Sequence, residues 1–130
     1  MSKAVLQTVK KEMGALGINY RFKKWKGKPV YPYFTGEYQE LESINEDGMQ
    51  ETQFILTGFA RGESAIDDLE DIKEKIQKHF PQVGGRLAIT DSGSAVAIFY
   101  ASTFENLLTG DAELEKIQIN LSIKEWSELK

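Results

Sequence analysis

Four aliphatic side chains, Ile117, Ile119, Leu121 and Ile123, alternate with Gln118, Asn120, Ser122 and Lys124. A period of two sustained this long fits a β-strand with one buried and one wet face, and it excludes a helix, whose apolar stripe repeats every 3.6 residues. Such a strand needs a sheet to join, and other segments share its period. Ile18, Tyr20 and Phe22 alternate with Asn19, Arg21 and Lys23. From Glu51 to Ala60, Phe54, Leu56 and Gly58 are read against Thr52, Ile55, Thr57 and Phe59; apolar residues on both faces predict a central strand, or one covered on its second side. Val96, Ile98 and Tyr100 alternate with Ala97, Phe99 and Ala101 in a strand from Ala95 to about Ser102, preceded by a short one from Arg86 to Thr90.

Turn chemistry separates these runs. Lys26-Gly27-Lys28-Pro29 ends the first strand. Pro32 has no N–H to give a ladder, so the next strand starts near Tyr33 or lies on an edge, and it is expected to run to about Ser43. Asn45-Glu46-Asp47-Gly48 carries Asp-Gly, a hairpin signal because glycine adopts positive φ cheaply. Asp91-Ser92-Gly93-Ser94 and Thr109-Gly110-Asp111 are further turn signals. Trp126 is expected beyond the last strand, in a polar tail, as an exposed anchor.

Two segments have the helical period. Val5, Val9, Met13 and Leu16 fall on one face, with Ser2 as N-cap and Gly17 as the left-handed stop. Gly14, unfavourable inside a helix, predicts a loose or closely packed last turn. The second helix begins at Ser64, with Asp67 three residues on as a relative of the capping box. Its stripe is Ile66, Leu69, Ile72, Ile76 and Phe80, and Pro81 stops it. Acids (Asp67, Asp68, Glu70, Asp71) precede bases (Lys73, Lys75, Lys78, His79), which complements the helix dipole at both ends.

The order is helix, strand, hairpin pair, helix, three strands. Short connections between successive strands favour an α+β fold: an antiparallel or mixed sheet of about five to six strands, with two helices packed on one face. The 130 residues suit a single α+β domain, spanning 1–130, that buries about two thirds of its unfolded surface.

Charge and composition narrow the function classes. The formal net charge of −4 does not suit a surface made wholly for nucleic acid. There is no cysteine, hence no disulfide framework and no thiolate metal site. No apolar run approaches the roughly 18 residues of a membrane span, and Met1-Ser2-Lys3-Ala4-Val5 lacks a secretory apolar core, so a soluble, intracellularly made protein is expected. No P-loop, Gly-x-Ser-x-Gly elbow or Gly-x-Gly-x-x-Gly occurs. The sole histidine, His79, has no visible ligand partner at helical or hairpin spacing and reads as a solvated helix end. The acids of the second helix spread around it, as a solvated first turn would. No catalytic residue, metal ligand or cofactor-binding residue is therefore assigned, and no cofactor is expected.

The informative feature is a segregation of charge around Val30-Tyr31-Pro32-Tyr33-Phe34-Thr35-Gly36-Glu37-Tyr38. Arg21, Lys23, Lys24, Lys26 and Lys28 precede it, interleaved with Tyr20, Phe22 and Trp25. Glu37, Glu40, Glu42, Glu46, Asp47 and Glu51 follow it, with no Lys or Arg before Arg61. Three readings of the basic segment stand. It is a solvated face that deters edge aggregation, a protein contact, or a nucleic-acid grip that pairs cations with stacking aromatics. As a protein interface its residues are Arg21, Lys23, Lys24, Trp25, Lys26, Lys28, Tyr31 and Tyr33, facing Glu40, Glu42, Glu46 and Asp47.

The layout also resembles a family. A short helix ending in Leu16-Gly17, a strand, the Pro-Tyr-Phe-Thr-Gly-Glu run from Pro32 to Glu37, a long hairpin, the Asp-Asp-Leu-Glu-Asp-Ile helix from Asp67 to Ile72 and a terminal amphipathic strand are similar to the tail terminator and related minor tail or neck proteins of long-tailed phages and prophages. The resemblance covers nearly the whole chain and rests on element order and the Pro-Tyr run. It implies an α+β protein that is not an enzyme and closes into a hexameric homo-oligomer. That ring caps the tail tube and meets the head connector. The implied partners are the tail-tube protein and the head-tail connector, with no membrane and no sequence-specific nucleic acid, in the host cytoplasm during assembly and then in the virion tail. The alternatives are a head-tail joining or other minor structural protein, a cytoplasmic protein-binding module outside any virion, and an enzyme using scattered carboxylates. A tail-tube gene just downstream would favour the tail terminator.

Overall fold

The chain follows the expected order in a computed structural model that describes residues 2–41, 49–105 and 107–126. It runs α1 (Lys3–Ala15), β1 (Tyr20–Phe22), β2 (Tyr33–Leu41), β3 (Met49–Arg61), α2 (Ala65–His79), β4 (Arg86–Ile89), β5 (Ala95–Phe104) and β6 (Leu114–Trp126). The strands form one six-stranded sheet in the order β1-β2-β3-β6-β5-β4. Only β1 and β2 run parallel; the other neighbours are antiparallel. The fold is thus α+β with a mixed sheet curled into a half-barrel.

Parallel neighbours usually need a long crossover. Here β1 is only three residues, so the returning chain covers roughly 10 Å at about 3.3 Å per residue, and residues 23–32 suffice. Lys23 leaves the sheet at φ 69°, in the left-handed region, after its N–H bonds to the Gly36 carbonyl at 2.7 Å. The Tyr31–Pro32 peptide is cis, and β2 begins at the next residue.

The core lies between the helices and one face of the sheet. Val5, Val9 and Met13 of α1 and Ala65, Leu69 and Ile76 of α2 meet Phe34, Phe54, Leu56, Ile98, Ile119, Leu121 and Ile123. Phe80, just past α2, is fully buried in the same cluster. Each large side chain removed from water here contributes about 1.5–3 kcal/mol, which is why the alternating aliphatic residues of β6 fix its register. Ser2 caps α1 as expected, its hydroxyl accepting from the Val5 N–H at 3.3 Å, and Gly17 takes φ 72°.

Several expectations need correction. Thr52 belongs with Phe54 and Leu56 on the core face of β3 and is buried, since an even separation along a strand keeps residues on one face. Ile66 is 61% exposed; the small Ala65 points inward in its place, so the buried stripe is offset by one residue. Ser64 does not cap the backbone of α2; its hydroxyl donates instead to Asp68 Oδ2 at 3.1 Å. Asn120 is not wet: it is 3% exposed, and its amide donates to Ser102 Oγ at 3.0 Å while accepting from Gln118. Trp126 lies within β6, half-buried, paired with Met49 and Ala95 rather than in a tail. Of the two expectations for Gly14, close packing is set aside, since a Cβ there would meet nothing within 4 Å. The Asn45-Glu46-Asp47-Gly48 turn lies outside the described residues.

Candidate interaction surface

The loop after β1 is fastened to the outer face of the sheet by aromatic contacts. Trp25 packs on Tyr33 with ring centroids 5.1 Å apart, and its indole N–H donates to the Lys28 carbonyl at 3.2 Å. Tyr33 also meets Tyr31 at 5.5 Å and stacks on Phe59 at 5.1 Å; Phe59 is its direct cross-strand partner in β3. The period-two backbone forces this meeting: Tyr33 and Phe59 both lie on the face opposite the core.

Cations cover the rim of this ladder. The guanidinium of Arg21 sits 4.9 Å from the Trp25 ring, that of Arg61 sits 5.5 Å from Tyr31, and the Lys116 ammonium sits 5.8 Å from Phe59. Each position is within the distance at which a ring quadrupole attracts a cation. Arg61 is held in turn by Asp111 at 2.8 Å and by Glu113 at 3.9 Å. The hydrogen bond to Asp111, and then Tyr31, raise the Arg61 pKa above its ordinary value. The Asp111 carboxyl is lowered, first by the Glu113 backbone N–H and then by Arg61. Burial, and then Tyr31, raise the Tyr33 phenol. The result is a patch of half-buried rings beneath cations.

The structure brings some of the expected interface residues together and separates others. Arg21, Trp25, Tyr31 and Tyr33 form the patch, while Lys23, Lys24, Lys26 and Lys28 stand exposed along its loop. Glu40 is exposed on β2, away from that loop. Glu42, Glu46 and Asp47 lie outside the described residues. Phe59, Arg61 and Lys116 complete the patch and were not anticipated. Phe59 had a signal, the apolar second face of β3, whereas Arg61 and Lys116 arrive through strand register alone.

A second cluster joins the two helices. Glu12 of α1 is buried and pairs with the Arg86 guanidinium of β4 and, at 3.4 Å, with His79. His79 is therefore no solvated helix end: its side chain is 18% exposed and its ring stands edge-on to Phe80. One carboxylate between two basic groups tethers the helices and the sheet edge. No group of three metal-ligating side chains occurs among the described residues, and no described helix is long and apolar enough to cross a membrane.

No family model matches the chain, and no curated protein matches it. One solved structure superposes on 100% of this chain and 99% of its own, with a TM-score of 0.68 and 12% identity. Its name describes no activity, and at that identity the likeness shows the fold alone: the same α+β arrangement spans a whole chain of similar length.

Proposed function

We propose that this protein is a phage or prophage structural protein of the tail terminator type, assembling into a ring of identical copies that caps the tail tube and meets the head connector. The observation that carries the self-association is the cation-rimmed aromatic ladder of Trp25, Tyr31, Tyr33 and Phe59 beside the basic loop. Aromatic and arginine side chains are enriched at protein interfaces, where they supply affinity, while rim charges steer encounter and fix register. The rings pack against one another and against β3, so less side-chain freedom is left to lose when a partner covers them. The tail itself rests on the whole-chain resemblance described above. In this reading the protein acts by geometry rather than catalysis, and it works in the host cytoplasm during assembly and in the virion thereafter.

Sedimentation velocity over a wide concentration range, with and without purified tail-tube protein, tests it. Wild type is expected to shift from monomer to a ring-sized species, less readily at high salt. The Lys23→Glu, Lys24→Glu, Lys26→Glu triple variant should keep its fold and lose that shift. A wild type that stays monomeric in both settings, with a triple variant that still supports tails of normal length, would overturn the proposal. A neck or head-tail joining role is the second reading; it predicts association with the connector rather than with the tube.

A further inference from the structure

Charge is divided over this molecule more widely than in the loop alone. Residues 2–28 carry eight cations (Lys3, Lys10, Lys11, Arg21, Lys23, Lys24, Lys26, Lys28) and one acid, Glu12, which is buried and paired. Residues 62–72 carry five acids, Glu63, Asp67, Asp68, Glu70 and Asp71, and no base.

Each region holds an apolar feature at its centre. Between α1 and the edge strand β1 runs a groove of about 220 Å³, lined by Leu6, Tyr20 and Phe22 and rimmed by Lys3, Lys10 and Arg21. In the first half of α2, Ile66 stands 61% exposed beside a small hollow bordered by three acids, Glu70, Glu105 and Glu115, and one cation, Lys116. Lys73 engages Glu70 at 2.8 Å and Glu105 at 2.7 Å, leaving Glu63 and Asp67 as the exposed acids next to the isoleucine along the chain.

We propose that the groove between α1 and β1 of one copy receives the Ile66 face of α2 from the next copy. The proposal rests on the self-association reading above and adds a second pair of meeting surfaces to the aromatic ladder and its basic loop. The occupant follows from complementarity: an apolar groove rimmed by cations fits an exposed apolar side chain in a region where acids outnumber bases, and this chain carries both. Desolvated Ile66, Leu6 and Phe22 would supply affinity, and the charged rims would select orientation. Because the two surfaces differ, the contact is head-to-tail and leaves one groove and one α2 face open at the ends of any short assembly. Such a contact propagates until rotation closes it into a ring. Two grooves cannot pair with each other, because like charges would face across the boundary.

Disulfide trapping tests the contact, since the chain has no cysteine of its own. Gln7, exposed in the groove lining, becomes Gln7→Cys in one preparation, and Ile66→Cys is made in another. Only residues whose Cα atoms come within about 7 Å can be bridged without backbone movement. Mixing the two proteins under mild oxidation is expected to give the mixed disulfide, with little product from either alone. Adding Lys3→Glu and Lys10→Glu to the Gln7→Cys protein should reduce its yield about tenfold, equivalent to about 1.4 kcal/mol. The same mixture is run in sedimentation velocity. Oligomers that form without the mixed disulfide overturn this contact and leave self-association standing. Mixed disulfides within assemblies that grow without a limiting size support the contact and overturn the closed ring. Monomers with no mixed disulfide overturn both, and bridging by Ile66→Cys alone as readily as by the pair overturns the head-to-tail arrangement.

Discussion

The ring of Phe34 lies over Gly58, its direct partner across β2 and β3, in the space a Cβ would fill. Two residues along, Gly36 is likewise covered, here by diagonal neighbours: a Cβ on it would stand 2.6 Å from the Phe54 ring and 2.8 Å from Tyr20. Two glycines thus let three core aromatics lie flat against the sheet. Gly58→Ala and Gly36→Ala should each destabilise by about 1–3 kcal/mol through overpacking. Gly14→Ala, with open space around it, should stabilise α1 by about 0.5–1 kcal/mol. Thermal melting of the three variants checks the contrast; equal effects would contradict this packing.

Glu12 ties α1 to His79 and Arg86, so Glu12→Ala leaves two basic groups facing an unfilled site. A charge-assisted bond would give about 1.5–3 kcal/mol, but Arg86 is partly exposed, so the expected loss is about 1–2 kcal/mol. Chemical denaturation of the variant beside Lys11→Ala checks this. Lys11 pairs with Asp91 at 3.3 Å with both side chains largely exposed, and should matter little.

On β6, adjacent residues should respond differently to the same charge. Leu121→Asp puts an unpaired carboxylate in the core and should unfold the protein. Asn120→Asp retains acceptors but loses the donor to Ser102, so a loss of about 1–2 kcal/mol is expected, larger than for a solvated position. Melting curves of both variants test the register: identical behaviour would show that β6 is assigned to the wrong face.

Lys73 and Glu105 give a pH signature. Lys73, and then Glu70, hold the Glu105 carboxyl below its ordinary value, and the Lys73 ammonium is raised, first by Glu105 and then by Glu70. Glu105 therefore contributes stability above its ordinary value of 4.5, lost as pH falls through the lower folded value. Lys73 contributes below 10.5, lost as pH rises through its raised value. Lys73→Met should melt below wild type between these limits, by about 0.5 kcal/mol for a partly solvated surface pair, and converge with it in acid. Differential scanning calorimetry from pH 3 to 8 checks the convergence.

Much of the fold was legible in residue spacing. The alternation of Ile117 through Ile123 and the stripe of Val5, Val9 and Met13 carry their own periods, so β6 and α1 stand where expected. Ile66 misled because a step of three back from Leu69 reaches Ile66 and a step of four reaches Ala65; both are helical spacings, and side-chain size alone does not choose. Asn120 looked wet because its burial depends on Ser102, brought opposite by an irregularity between Tyr100 and Ser102. The Glu12 contacts span 67 and 74 residues of chain, beyond any local pattern. In the interaction patch, Trp25 and Tyr33 were visible as a cluster, whereas Arg61 and Lys116 reach it only through the register of β3 on β6.

The central claim is closed self-association by a head-to-tail contact, and native mass spectrometry of the intact chain tests it most directly by counting copies. The account predicts one dominant closed species at micromolar concentration, with few intermediates. It also predicts that the Lys3→Glu, Lys10→Glu protein and a Glu63→Lys, Asp67→Lys protein, each impaired alone, assemble again when mixed, because the intact surfaces and the reversed surfaces both bring opposite charges together. A wild type that is monomeric throughout, or that forms a ladder of every size, would contradict it.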